Sequence, residues 1–275
     1  MTPVTLERIV QGQGERACES GPRRHVSVVV MDDLTARMAD ANRLIDDEPR
    51  RASGRSGAIG RLERLCSALT RVLPATGVGL SLLTEDTYDG GTVAASDAKS
   101  RVLEELQFTL GEGPCIDAYT SRRPVLEPDL ETHGTRRWPG YGPAAQEHGV
   151  RAVFAFPLQV GAARAGVLDI YRSEAGSLTP DALTQAVTFA DVAMGVLVDG
   201  QARAGDIRSS PHLDDALANR LEVYQAQGMV MVDLGVGIEE AMARLRAHSY
   251  AEERSIGDVA KDIVAGKLTL DRDST

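Results

Sequence analysis

Two neighbouring segments, RAVFAFPLQV (151–160) and ARAGVLDIYR (163–172), constrain this chain more than anything else in it. Each is apolar at both parities of the strand alternation, and a turn at Gly161 joins them. Strands of this kind belong in the middle of a sheet, covered on both faces, because a one-sided sheet would alternate apolar with polar. Helices to do the covering are legible nearby. Ile59, Leu62, Leu65, Leu69 and Val72 recur at spacings of three and four, predicting an amphipathic helix that ends near Pro74. Thr179 and Asp181 start a long helix through Val198, with Pro180 suited to its first turn. VGLSLL (78–83) and GTVAAS (91–96) predict a further strand pair, Ala98 to about Phe108 a helix, LGEGPCIDA a loop, and Ala144 to His148 a short helix.

After a second linker, GDIRSSP (205–211), the strands stop. Leu213, Leu217, Leu221, Tyr224, Gly228 and Met231 share one helical face. Ile238, Ala241, Met242 and Leu245 mark a second helix, and Ile256, Val259, Ala260 and Ile263 a third, ended by Gly266. Three short helices bury little apolar area alone, so a homodimer is expected, with further stripes on 180–198 and 33–47. Residues 1–30 have no steady period and are expected to be poorly ordered. Met31, an alternative to Met1 as the translation start, opens a helical spacing through Leu34, Met38, Ala41 and Ile45. The expected organisation is therefore 1–30 extension, 31–57 helix and linker, 58–200 first domain, 201–212 linker and 213–270 second domain.

Composition removes several classes of function. Forty acidic against 30 basic residues give a net charge of -10, so contact with nucleic acid requires a local basic patch. No apolar run approaches the roughly 18 residues of a membrane-spanning helix, and MTPVTLERIV lacks a basic stretch followed by an apolar one. A cytoplasmic protein with no membrane partner is expected. Cys18, Cys66 and Cys115 stand too far apart for a CxxC pair or a disulfide frame, so no metal site is expected. There is no nucleophile elbow and no GxxxxGK[ST] loop, hence no catalytic residues and no enzyme.

The candidate binding residues fall in two groups. In the first domain, glycines in Gly111-Glu112-Gly113-Pro114 permit positive φ and Pro114 directs the exit, so the loop either folds over a pocket or simply turns the chain. Cys115 follows as a buried thiol or, alternatively, a redox nucleophile. Trp138 and Tyr141 occupy a Pro- and Gly-rich loop, suited to stacking on a planar ligand or to sealing a small core. Arg151 suits an anionic ligand or a salt bridge to a carboxylate such as Asp129. The histidines fall mostly in polar loops or on helix surfaces, which argues against haem. In the second domain Gly228 in mid-helix suggests close approach of another backbone. Arg244, Arg246, Arg254 and Lys261 can reach phosphates, and Tyr250 can stack on an unpaired base. Six basic and ten acidic side chains between Leu213 and Leu270 predict modest, salt-dependent affinity.

Leu110-Gly111-Glu112-Gly113-Pro114-Cys115-Ile116-Asp117-Ala118, Arg137-Trp138-Pro139, Gly149-Val150-Arg151-Ala152, Pro157-Leu158 and Leu168-Asp169-Ile170-Tyr171 occur in an order that resembles the GAF domains of actinobacterial regulators. Arg220, Val223, Gln225-Ala226-Gln227-Gly228, Met231, Glu240-Ala241, Leu245-Arg246, Ser249, Ile256, Val259-Ala260 and Ile263-Val264 resemble an ANTAR domain, an RNA-binding module of antitermination regulators. Gln227 stands where that family usually has Lys, Gly237 where a Ser or Thr cap is common, and Ala152 where Ser is frequent. The resemblance implies an α/β sensor, an antiparallel sheet with helices on both sides, joined to an all-α three-helix domain. A sensor of this kind either binds a small molecule, here unidentified and with no cofactor evident, or simply mediates dimerisation; the candidate ligand contacts are Gly113, Pro114, Cys115, Trp138, Tyr141 and Arg151. Stem-loop RNA would meet Arg220, Gln227, Gly228, Arg244, Arg246, Tyr250 and Lys261, with transcribing RNA polymerase an indirect partner. The competing readings are a GAF-fold thiol redox enzyme using Cys115 and a purely protein–protein scaffold.

Overall fold

In the computed structural model, which describes residues 23–50, 57–83, 90–202, 211–252 and 254–270, the chain divides into units 1–36 and 37–275. Helix α1 (Arg23–Asp46) begins before Met31, and its residues 23–36 are what is described of the first unit. The poor order expected for the extension otherwise falls outside the described residues, as does Cys18.

In the second unit α2 (Gly57–Val72) leads into β1 (Gly77–Leu83) and β2 (Gly90–Ala95), followed by α3 (Ala98–Leu110) and α4 (Pro114–Ser121). The edge strand β3 (Val125–Glu127) runs into a π-helical turn over Leu130–Gly134, the single turn α5 (Thr135–Arg137) and α6 (Tyr141–Glu147). The predicted strand pair follows as β4 (Ala152–Val160) and β5 (Ala163–Arg172), then α7 (Pro180–Ala202). All five strands pair antiparallel in the order β2-β1-β5-β4-β3, so β5 is central. Its side chains divide by parity. Leu168 and Ile170 enter a core with Phe154, Phe156, α2 and α7, whereas Val167 and Tyr171 enter a core with α3, α4 and α6. Helices therefore cover both faces, as the apolar strands require.

Two local readings change. The stretch expected to be a loop from Leu110 to Ala118 contains the start of α4, because Gly113 (φ +140°) places Pro114 at the first helical position. Helix α7 is, by length and composition, apolar enough to cross a membrane, contrary to the sequence expectation; half of its 180–200 stretch is buried in the protein, with Ala186, Phe189 and Ala193 in the sheet core.

The remaining helices are α8 (Pro211–Leu234), α9 (Ile238–Ala251) and α10 (Ile256–Val264). Ala226, Val230, Leu234, Ala241, Leu245, Val259, Ala260 and Ile263 form their shared core. Gly237 caps α9 without a side-chain bond, whereas Ser255 accepts from the Asp258 amide at the start of α10.

Candidate functional site

On the α3 face of the sheet a group of polar side chains is shut away from water. Glu104, Gln107, Asp169, Cys115 and Tyr141 are fully buried, and Tyr171 almost as completely. Amphipathic spacing brings Glu104 and Gln107 to the inner side of α3, and strand parity puts Asp169 and Tyr171 opposite them. Space for Glu104 comes from Gly79 on β1, where a Cβ would stand 2.1 Å from the Glu104 Oε1. Ser81 and Tyr171 each donate a hydroxyl bond to Glu104, Tyr171 at 2.6 Å. Gln107 Nε2 donates to Asp169 Oδ2 at 3.1 Å, and its Oε1 accepts from the Cys115 amide at 2.8 Å. Gln107 thereby ties the sheet to the Gly113-Pro114 turn, and a Cβ at Gly113 would lie 2.4 Å from that same Oε1.

Burial dominates the electrostatics. It pushes the Glu104 carboxyl up to about 6, against the bonds from Ser81 and Tyr171 that favour its charge. Asp169 is pushed well above the ordinary carboxylate range, first by burial and then by the charge of Glu104. The Cys115 thiol moves well up through burial and through the charges of Asp169 and Glu104. A thiolate nucleophile needs the opposite. Among the described residues, Oδ1 of Asp169 and the hydroxyl of Tyr141 are buried at this group with no hydrogen-bond partner.

Of the residues expected to meet a ligand, Gly113, Pro114, Cys115 and Tyr141 do border this cluster. Trp138 instead lies in the core, 2% exposed, edge-on to Tyr141 with ring centroids 6.2 Å apart and its Nε1 donating to Asp117 at 3.2 Å. Arg151 is a correction as a ligand contact: its side chain is exposed and pairs with the carboxylate of Glu131, with Asp129 close enough to feel its charge, so it stands outside the buried group. Glu104, Gln107, Asp169 and Tyr171 went unnamed as site residues. Asp169, a carboxylate between Leu168 and Ile170 in a central strand, is the signal that points to them.

The outer end of α3 meets the C-terminal helices. Gly111 closes α3 in the left-handed conformation (φ +70°), its amide donating to the Gln107 carbonyl. The guanidinium of Arg246 on α9 rests against it, with Nη1, Cζ and Nε 2.7–3.1 Å from the place a Cβ would occupy. A cation at this position complements the negative end of the α3 dipole. Nearby, burial raises the Glu105 carboxyl, Arg101 opposes this, and the charge of Asp258 on α10 adds to it.

The other expected RNA contacts divide. Gln227 is a correction, being buried and donating from Nε2 to the Ile238 carbonyl at 2.8 Å, so it fastens the α8–α9 turn. At Gly228 a Cβ would meet open space, so among the described residues no other helix backbone packs closely against it, and the position is left open. Arg244 pairs with Glu240 one turn back at 2.9 Å and Arg254 pairs with Asp262. Lys261, 4.0 Å from Asp258, and Tyr250, 58% exposed, face outward. The side chains of Arg220, Leu213, Leu217 and Leu221 lie outside the described residues.

A GAF domain family model matches residues 61–197 and an ANTAR domain model residues 212–264. The chain belongs to the proteins that join a GAF domain to an ANTAR domain. The GAF domain is the sheet-and-helix unit with its buried polar cluster, and the ANTAR domain is α8–α10. Together they make a regulator with an RNA-binding output domain. Among solved structures, the GAF domain of a phosphoenolpyruvate-protein phosphotransferase from Coxiella burnetii is 16% identical, covering 63% of this chain and 98% of its own, with a TM-score of 0.49. The corresponding Acinetobacter domain is 13% identical over 63% and 98%, TM-score 0.46. A type II free methionine-R-sulfoxide reductase from Thermoplasma acidophilum is 16% identical over 52% and 93%, TM-score 0.40. No curated protein matches the chain.

Proposed function

We propose that this GAF–ANTAR chain is a cytoplasmic, homodimeric antitermination regulator of the actinobacterial type, in which the state of the GAF domain governs how α8–α10 meet stem-loop RNA. The observation that carries this reading is that α3 serves both domains. Its inner face supplies Glu104 and Gln107 to the buried cluster, and its last residue is followed by the glycine against which Arg246 rests. A change at the cluster that shifts α3 therefore changes the seat of α9. In this arrangement Arg246 is withheld from RNA while docked, and Lys261 and Tyr250 are open to phosphate and to an unpaired base. By acting during transcription the protein meets RNA polymerase only through the nascent transcript. The raised Cys115 thiol favours this reading over a thiol redox enzyme.

The test is binding of the full chain to a dual stem-loop RNA and to an unstructured RNA of equal length over a salt series. The stem-loop is expected to bind more tightly. Lys261→Ala is expected to lower the magnitude of the log-affinity against log-salt slope by about 0.7–0.9, and Tyr250→Ala to weaken binding by about 1–3 kcal/mol. Equal affinity for the two RNAs would remove the antiterminator reading and leave the protein–protein scaffold.

A further inference from the structure

Glu104, Cys115 and Asp169 each offer one donor atom, and the three atoms lie within 4.8 Å of one another, all fully buried. In a tetrahedral site with bonds of roughly 2.0–2.3 Å, donors stand about 3.3–3.8 Å apart. The observed upper separation of 4.8 Å exceeds that spacing by about 1–1.5 Å, so the donors must draw together on binding. Two carboxylates and a thiol, closed off together, have no Lys, Arg or His among their hydrogen-bond partners to balance charge. Ser81, Tyr171 and Gln107 orient the carboxylates from outside, as second-layer partners do around bound ions. The bonds to Glu104 and Asp169 leave Oδ1 of Asp169 unpartnered, and the Tyr141 hydroxyl, independently of the acidic pair, is also buried without a partner.

We propose that Glu104, Cys115 and Asp169 bind one divalent first-row transition-metal ion of the zinc or ferrous type. The thiol selects this class over magnesium or calcium, which take oxygen ligands. Binding releases the thiol proton and any proton held by the two carboxyls, and the Tyr141 hydroxyl faces the remaining position or a water in it. The ion is then the signal that the GAF domain reads; that last step rests on the regulatory reading above, while the site itself does not.

Cobalt(II) tests this directly, because a cobalt–thiolate bond gives a near-ultraviolet charge-transfer band that a carboxylate-only site lacks. Full-length protein stripped with a chelator is expected to take up one cobalt per chain with that band, and zinc should displace it. Cys115→Ser should abolish the band and Asp169→Asn weaken uptake at least tenfold, whereas Cys66→Ser, in the core on the other face of the sheet, should change neither. Circular dichroism reports whether each variant is folded, and the parent protein decides the matter even if a variant is not. A folded parent without stoichiometric uptake, or a band that persists in Cys115→Ser, overturns the proposal. RNA affinity of the stripped protein is read separately, so failure of the metal site and failure of RNA binding are distinguishable.

Discussion

Gln227 illustrates what a single position on a helix conceals. Its place in the Gln225–Gly228 run marks it as a site residue, but whether it turns outward depends on how α9 crosses α8, which no local pattern specifies. Its amide serves the Ile238 carbonyl. Gln227→Ala is therefore expected to lower stability by about 1 kcal/mol and to leave RNA affinity unchanged, as chemical denaturation and a gel-shift assay would measure. Asp97 is a second residue with a defined task. As the N-cap of α3 it accepts from the Ser100 amide at 2.8 Å. Burial raises its pKa, but bonds from Ser96, Ser100 and Lys99 outweigh this and hold it below 3.8. A depressed folded pKa means that the stabilisation is present above the unfolded value and is lost as pH falls through the lower folded one. Asp97→Ala should cost about 1 kcal/mol at pH 7, with the gap from the parent narrowing in melts taken below about pH 4.

Among the elements, α3 carries the most consequence and was only half legible. Its existence, from Ala98 to about Phe108, was legible, and so were the glycines after it from the turn they allow. That Glu104 and Gln107 face Asp169 required knowing that β5 lies at the centre of the sheet and which of its parities faces α3. The Arg246 contact, across more than a hundred residues of chain, had no local sequence signature at all. Gly111→Ala probes it. A Cβ there incurs left-handed backbone strain of about 1 kcal/mol and also displaces the guanidinium, so the full chain is expected to bind stem-loop RNA more tightly while melting lower. Gly149→Ala is the control, since it has the same φ of +70° but only Lys99 Nζ, 3.7 Å away, near the new methyl. It should melt lower without any change in RNA affinity.

For the molecule as a whole, the layered fold was readable because two strands apolar on both faces leave few alternatives, whereas the assembly was not, since a solvent-facing stripe and a dimer stripe look alike in sequence. The side chains of the leucines first expected to form the interface lie outside the description of α8, but α7 exposes Val187 and Val198, three turns apart on one face, with Gly195 between them opening to free space. Sedimentation equilibrium at micromolar concentration is expected to report a dimer of the 29.4 kDa chain, and the double substitution Val187→Glu, Val198→Glu to shift it to monomer. The seat of Arg246 on Gly111 has one more consequence, a thermodynamic one. If occupancy of the buried cluster changes RNA affinity by some factor, RNA must change the affinity of the cluster for its ligand by that same factor. The transcript is then an effector of the sensor as much as its target, and a titration of cluster occupancy with and without RNA would return the same coupling constant as the RNA titration itself.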